Sequence, residues 1–406
     1  MSVTDDASEI AHDLTELRRA IHREPEIGLY LPGTQRKVLD ALDSLPLEVT
    51  RGTALSSVTA VLRGNGGPGG PTVLLRGDMD ALPVAERTGL DYASSNDGVM
   101  HACGHDLHTA MLVGAARLLS ARRAELPGTV VFMFQPGEEG YAGAKHMIDE
   151  GVLEAAGQRP AAAYALHVAS ALLPAGVCST RPGTMMAAAE VLEVTVRGHG
   201  GHASQPHHAA DPIPAACEIV TSLQTMVTRK FDIFDPVVIT VSSIHAGTTD
   251  NVIPDEARLL ATVRSFSPAS RERVREAALH LVHEVAAAHG LTARAQFTNS
   301  YPVTVNDAAE AQFATHVVDE VLGQGRCLTQ PNPLTGAEDF SFVLEQVPGA
   351  FIMLGACPPG NDPQSVPFNH AADAVFDDSV LADGAALYAE LALRRLAQAA
   401  DAAPAT

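Results

Sequence analysis

Basic residues are scarce in this chain. Its 406 residues include 27 Lys and Arg against 48 Asp and Glu, for a formal net charge of −21 at pH 7. Binding nucleic acid needs clustered cations that neutralise phosphates, so that partner is excluded as an expectation. The acidic surplus most simply serves solubility. Cysteines are also few: Cys103, Cys178, Cys217, Cys327 and Cys357 are irregularly spaced, odd in number and form no C-x-x-C pair. A disulfide framework or zinc ribbon is not expected, and a reducing compartment fits best. Long apolar runs are missing, with none near the ~18 residues of a membrane span. The opening MSVTDDASEI has neither the basic nor the apolar region of a signal peptide. The expectation is a cytoplasmic protein that does not enter membranes. No repeat of fixed period is present.

What the chain does have is length and apolar residues. With 46% hydrophobic residues and only 18% charged, it can build more than one core. RGNGGPGGP at 63–71 reads as a loop. Before about residue 180, helical patterns alternate with short continuous apolar strands such as TVLL, TVVFMF and AAAYAL. That alternation predicts an α/β fold, a mostly parallel sheet covered by helices on both faces. The middle reads differently. VLEVTVRG alternates apolar and polar residues, and Asp211-Pro212 opens a helix as N-cap and first helical residue. The order there is β-α-β-β-α-β, the split βαβ arrangement of a ferredoxin-like α+β domain. We place this inserted domain at 185–298, so that 1–184 and 299–406 form one discontinuous larger domain.

In open α/β sheets, ligands bind beyond the carboxyl ends of the strands. Polar residues follow the apolar strands here in a consistent way. Asp78 and Asp80 follow VLL, Glu138 and Glu139 follow VVFMF, His167 follows AYAL, and His370 follows FIML after a longer loop. HACGHDLH at 101–108 adds His101, Cys103, His105, Asp106 and His108. A lone histidine after a strand is usually a hydrogen-bonded loop or core residue. Four segments ending alike point to a metal site at one sheet edge.

GDMDALP, MHACGHDLH, QPGEEG, ALHV, GGHASQPH, NVIPDEA and TGAEDF occur in this order. Together they resemble the motifs of the two-metal aminoacylase and carboxypeptidase-like peptidase superfamily. The branch they look like is that of the amidohydrolases, with hippurate hydrolase, N-acyl-L-amino acid amidohydrolases and plant auxin-conjugate hydrolases. The resemblance covers roughly residues 10–395.

The resemblance implies a metal-dependent amidohydrolase acting on small N-acyl amino acids. Cys103, His105, Glu139, His167 and His370 would hold two divalent metal ions. Thiolate and imidazole donors favour zinc or manganese, or cobalt or nickel, over magnesium or calcium. Cys103 would bind as its thiolate. Glu138 would be the general base and acid, with Asp80 orienting a ligand imidazole. His202, in the inserted lid or dimerisation domain, would donate to the oxyanion from its own or a partner subunit, in a homodimer or higher homo-oligomer. Asn251, Arg264 and the Gly336 backbone would hold the substrate carboxylate. Glu338 and Asp339 are expected to cap the helix that follows, and His108 to begin the helix that carries it. Asp106 stays a reserve ligand, and His101 is open between a supporting and a loop role. Three rivals remain: a dipeptidase or carboxypeptidase on the same site, a non-catalytic metal-binding protein, and a thiol enzyme using Cys103 as nucleophile.

Overall fold

The structure is a computed structural model that describes residues 2–65 and 70–402. Residues 66–69, the middle of the glycine-rich loop expected at 63–71, lie outside the described residues.

In chain order the helices are α1 (Val3–Glu9), α2 (Ala11–Arg23), α3 (Pro32–Leu42), α4 (His105–Ala121), α5 (Gly143–Asp149), α6 (Pro212–Lys230), α7 (Pro268–Ala288), α8 (Ala308–Val321), α9 (Ser341–Leu344) and α10 (Val380–Ala402). The strands are β1 (Glu48–Arg51), β2 (Val58–Arg63), β3 (Thr72–Asp78), β4 (Thr129–Gln135), β5 (Ala162–Pro174), β6 (Cys178–Thr180), β7 (Gly183–Met186), β8 (Ala188–Arg197), β9 (Gly201–His202), β10 (Val237–Ala246), β11 (Val252–Ile253), β12 (Glu256–Ser265), β13 (Thr292–Tyr301), β14 (Thr304–Asn306), β15 (Cys327–Thr329) and β16 (Gly349–Cys357). Two compact units result. One comprises Met1–Met185, Val305–Pro331 and Asp339–Thr406, the other Met186–Thr304 and Asn332–Glu338.

The larger unit holds an eight-stranded sheet in the order β1-β2-β4-β3-β5-β16-β6-β15. Its centre, β4-β3-β5-β16, is parallel throughout, while β2 and β6 join it antiparallel. Every residue of β3 and β4 is buried. A strand whose two faces are both inaccessible must be covered on both sides, which is why these segments read as unbroken apolar runs. Helices α4 and α10 contribute to that cover, with Leu107, Met111, Leu387 and Leu391 in one core with Leu75 and Phe132. The parallel centre places the carboxyl ends of β3 and β4 side by side.

The smaller unit is an antiparallel sheet, β10-β12-β8-β13, with α6 and α7 between its strands in the chain. Alternate residues Leu192, Val194 and Val196 of β8, and Leu259, Ala261 and Val263 of β12, pack into the core with Ile219, Val274 and Val282 of the helices. Leu260 and Arg264 alternate out of that face. Asp211 does cap α6, accepting from Ile213 N at 2.9 Å, with Pro212 at the first turn. Such a cap contributes about 1 kcal/mol. Among the described residues no helix is long and apolar enough to cross a membrane.

Candidate metal centre

The larger unit gathers the candidate donors around one sulfur. Cys103 Sγ lies 3.4 Å from His167 Nε2 and 3.3 Å from His370 Nε2. His370 Nε2 is also 3.1 Å from Glu139 Oε1. Three overlapping triads each have all donor atoms within 4.8 Å of one another: Cys103–His105–His167, Cys103–Glu139–His370 and His105–Glu138–Glu139. Cys103 therefore belongs to two triads, and His105 and Glu139 link to the third.

Local sequence explains the placement. Gly104 is the N-cap of α4 with φ 84°, and a Cβ there would stand 2.4 Å from Val168 Cγ2. Only glycine lets the chain turn into α4 while touching β5, so Cys103 and His105 end up on either side of that turn. Gly137 plays the same part before Glu138, with φ 72°. Asp80 then grips the turn, its Oδ1 accepting from Glu138 N and its Oδ2 from Glu139 N, both at 3.0 Å. Asp80 Oδ1 also lies 3.5 Å from His105 Nδ1, so one carboxylate faces both the paired glutamates and an imidazole.

His167 does not end its strand. It sits inside β5, opposite Met353 of β16, and the strand continues to Pro174. Its Nδ1 donates to Val168 O at 2.9 Å, which leaves the Nε2 lone pair directed at Cys103. That is the tautomer a metal ligand needs. His370 adopts a left-handed backbone, φ 73°, and donates its N–H to Ala102 O at 2.8 Å.

The donor set fits a metal pair. Both ring nitrogens of His105 are buried and make no hydrogen bond among the described residues; Asp80 Oδ1 faces Nδ1 and Asp78 Oδ2 stands 3.7 Å from Nε2, so a cation on Nε2 would satisfy the ring. Contacts with Cys103 and then Glu139 push His370 up to about 10. Burial opposes a charge on His105, but Asp78 and then Cys103 outweigh it and raise its pKa well above the usual range.

Two histidines expected only at the margins, His108 and His101, are both buried beside the cluster. His108 is buried; its Nδ1 donates to Asp78 Oδ1 at 2.5 Å and its Nε2 accepts from Val168 N at 2.7 Å. It does more than begin α4. Asp78 in turn accepts from Arg76 Nη1 at 2.5 Å. Burial opposes ionisation of Asp78, yet Arg76, His105 and His108 hold its carboxyl well below the carboxylate range. Asp106 turns away from the cluster, 2.8 Å from Arg18 Nε and 2.7 Å from His22 Nδ1. His101 is buried beside His22, ring centroids 6.2 Å apart.

Asp339 is not a helix cap, contrary to the sequence expectation. The helix α9 starts at Ser341 with no side-chain cap. Asp339 is instead fully buried, accepting from Arg76 Nη2 at 2.9 Å, Gln135 Nε2 at 2.8 Å and Ala144 N at 2.9 Å. A buried Arg76 needs two carboxylates to satisfy its fork, and that demand outbids the cap. Sequence reasoning missed Arg76, although an arginine inside the apolar run VLLRGD was the available signal. It also missed Arg18, His22 and Asn369.

In the smaller unit, His202 ends β9 and is exposed. Ser204 N donates to its Nδ1 at 3.2 Å, so the neutral ring carries its proton on Nε2 and can donate there. Asn251 O accepts from Ala203 N at 3.0 Å, tying its loop to that of His202. Arg264 is half-buried, donating to Thr262 Oγ1 at 2.8 Å and Val263 O at 3.1 Å. It has no ion pair among the described residues, and burial lowers its pKa. Gly336 is exposed.

A family model described as "Peptidase family M20/M25/M40" matches residues 74–394. The chain is 36% identical over 395 residues to thermostable carboxypeptidase 2 of Saccharolobus solfataricus, covering 96% of this chain and 97% of that protein. It is 37% identical over 393 residues to IAA-amino acid hydrolase ILR1-like 2 of Arabidopsis thaliana, covering 95% and 86%. Among solved structures it resembles the YXEP protein of Bacillus subtilis, described as a dinuclear metal binding peptidase of the M20 family. The TM-score is 0.81 at 31% identity, covering 96% of this chain and 99% of that one.

Proposed function

Because the chain belongs to the peptidase family M20/M25/M40, a family of metal-dependent hydrolases, we propose that it cleaves the amide bond of N-acyl amino acids to a carboxylate and a free amino acid. The observation that carries this reading is the sharing of Cys103 between two donor triads, with Glu138 and Glu139 in a third. The Arabidopsis relative named an IAA-amino acid hydrolase supports the substrate class.

Cys103, His105, Glu139, His167 and His370 would hold two divalent ions, zinc or manganese by donor type, with cobalt or nickel as substitutes. Such a pair supplies an acidified water and a Lewis acid for the amide carbonyl. Glu138 takes the proton of the attacking water on its carboxylate and delivers it to the leaving nitrogen. Asp80 keeps Glu138 and Glu139 in register through their backbone N–H groups. His202, from its own or a partner subunit, donates a hydrogen bond from Nε2 to the oxyanion, and Arg264, Asn251 and the Gly336 amide take the substrate carboxylate. That the Arg264 guanidinium has no ion pair among the described residues supports that assignment. A homodimer formed through the inserted unit is part of the proposal, supported by exposed Val238 and Ile244 on the edge strand β10.

The test is Glu138→Gln with metal content measured. The expected result is an unchanged metal stoichiometry and a kcat reduced by at least about 100-fold. Full activity in a loaded variant would sink the mechanism. A panel of N-acyl amino acids against free-amine dipeptides decides the substrate. Preference for the dipeptides would favour the carboxypeptidase reading that the Saccharolobus relative represents.

A further inference from the structure

The residue before His370 joins three of the donor segments with one side chain. Asn369 Nδ2 donates to Val168 O at 2.9 Å and to Cys103 O at 3.2 Å, and it lies 3.8 Å from Cys103 Sγ. On its other side, Asn369 Oδ1 accepts from Ser170 N at 3.0 Å and pairs with Ser170 Oγ at 3.1 Å. The amide can sit only this way round. Reversed, its oxygen would face two carbonyls and its NH2 group would face a backbone N–H.

Each contact bears on a donor. The carbonyl of Val168 also receives the Nδ1 proton of His167, so Asn369 and His167 share the acceptor that orients the imidazole. The contacts to Cys103 hold both its backbone and its sulfur. His370 is the next residue in the chain, in a left-handed conformation unusual for a side-chain-bearing residue. Its backbone is pinned on one side by Ala102 and on the other by the anchored amide of Asn369. The loop that delivers His370 is otherwise largely exposed, so these bonds set where the imidazole stands.

We propose that Asn369 is a positioning residue that fixes Cys103, His167 and His370 relative to one another, and so sets the affinity of the cluster for metal. This rests on the ligand assignment made above. Asparagine is suited to the task because it donates twice and accepts twice within one rigid plane. Aspartate in its place keeps the size and the acceptor side toward Ser170, but cannot donate to the carbonyls of Val168 and Cys103 or to the sulfur.

The experiment is a cobalt(II) titration of the metal-free full chain against a competing chelator, following the thiolate-to-cobalt charge-transfer absorption. It compares the wild type with Asn369→Asp, Asn369→Ala, Ser170→Ala and Cys103→Ser. We expect affinity to fall by about 10–100-fold in both Asn369 variants, the range found for residues that orient metal ligands, with an altered charge-transfer band. Ser170→Ala, which spares the donor side, should lose less than about threefold by the same reasoning. Wild-type affinity and an unchanged band in either folded Asn369 variant would overturn the proposal. So would failure of both variants to fold, since Asn369 would then be a structural residue. A band that survives in Cys103→Ser would instead show that the ligand assignment is wrong, and the role of Asn369 would fall with it.

Discussion

His108 and Asp78 are joined by a 2.5 Å hydrogen bond from Nδ1 to Oδ1. Because His108 Nε2 already accepts from Val168 N, both ring nitrogens are spent, and His108 is a strut between β3 and β5 beneath the cluster. His108→Leu removes both bonds and leaves a buried carboxylate oxygen and a buried N–H without this partner. We predict a loss of about 2–4 kcal/mol in urea unfolding of the metal-free protein. The folded variant should still bind two metal equivalents, whereas His105→Ala should not. Loss of metal in the leucine variant would show that His108 does more than support.

Arg76 balances two buried carboxylates, Asp78 and Asp339. Arg76→Met strands both, and breaking such a pair by removing one partner costs about 3–5 kcal/mol. Adding Asp78→Asn and Asp339→Asn removes the stranded charges and should recover part of the loss. Thermal unfolding of the single and triple variants measures this. A triple variant no more stable than Arg76→Met would refute the charge-balance account.

Burial lowers His101 to about 3, with His22 adding to the effect against the pull of Asp106. The sign follows from proton counting. Between pH 3 and the ordinary value of 6.5, the unfolded chain holds a proton on this ring that the folded chain does not. Stability from this group is complete above pH 6.5 and is lost as pH falls toward 3, by up to about 1.4 kcal/mol per pH unit. His101→Phe should flatten the dependence in urea melts of the metal-free protein between pH 4.5 and 6.5. Identical slopes for variant and wild type would contradict the neutral buried ring.

Chelation should abolish hydrolysis, and added zinc, manganese or cobalt should restore it. The thiol of Cys103, shielded by coordination in the loaded protein, should alkylate faster once metal is removed. Mass spectrometry of iodoacetamide-treated protein with and without chelator follows that change at a single residue. Activity that persists after complete metal removal would favour the thiol-enzyme alternative.

Much of the fold was legible because burial writes itself into sequence. The unbroken apolar runs of β3 and β4 require cover on both faces, and the alternation in β8 requires it on one. Asp211-Pro212 announced α6 through local chemistry alone. The candidate donors were also within reach of sequence, since Glu139 and His167 follow apolar runs and Cys103 and His105 flank the Gly104 turn, whereas His370 lies in a loop well beyond its strand. The pairings were not legible. That Asp339 serves Arg76 rather than α9 depends on contact between segments far apart in the chain. The partners of His108 and Asn369 are likewise set by the pairing of β3, β5 and β16, and those of Asp106 by the docking of α2 on α4, which no local pattern encodes.

The position of His167 within β5 couples two processes usually treated apart. It stands opposite Met353 of β16, and the entire smaller unit is threaded through the chain between these two strands. Strand side chains alternate faces, so a slip of one residue against β16 would turn His167 to the far side of the sheet. The cluster of donors can therefore assemble only once strands from both ends of the chain have paired in the correct frame. Metal capture would then report on completed folding, as a seal that closes only on a correctly threaded molecule.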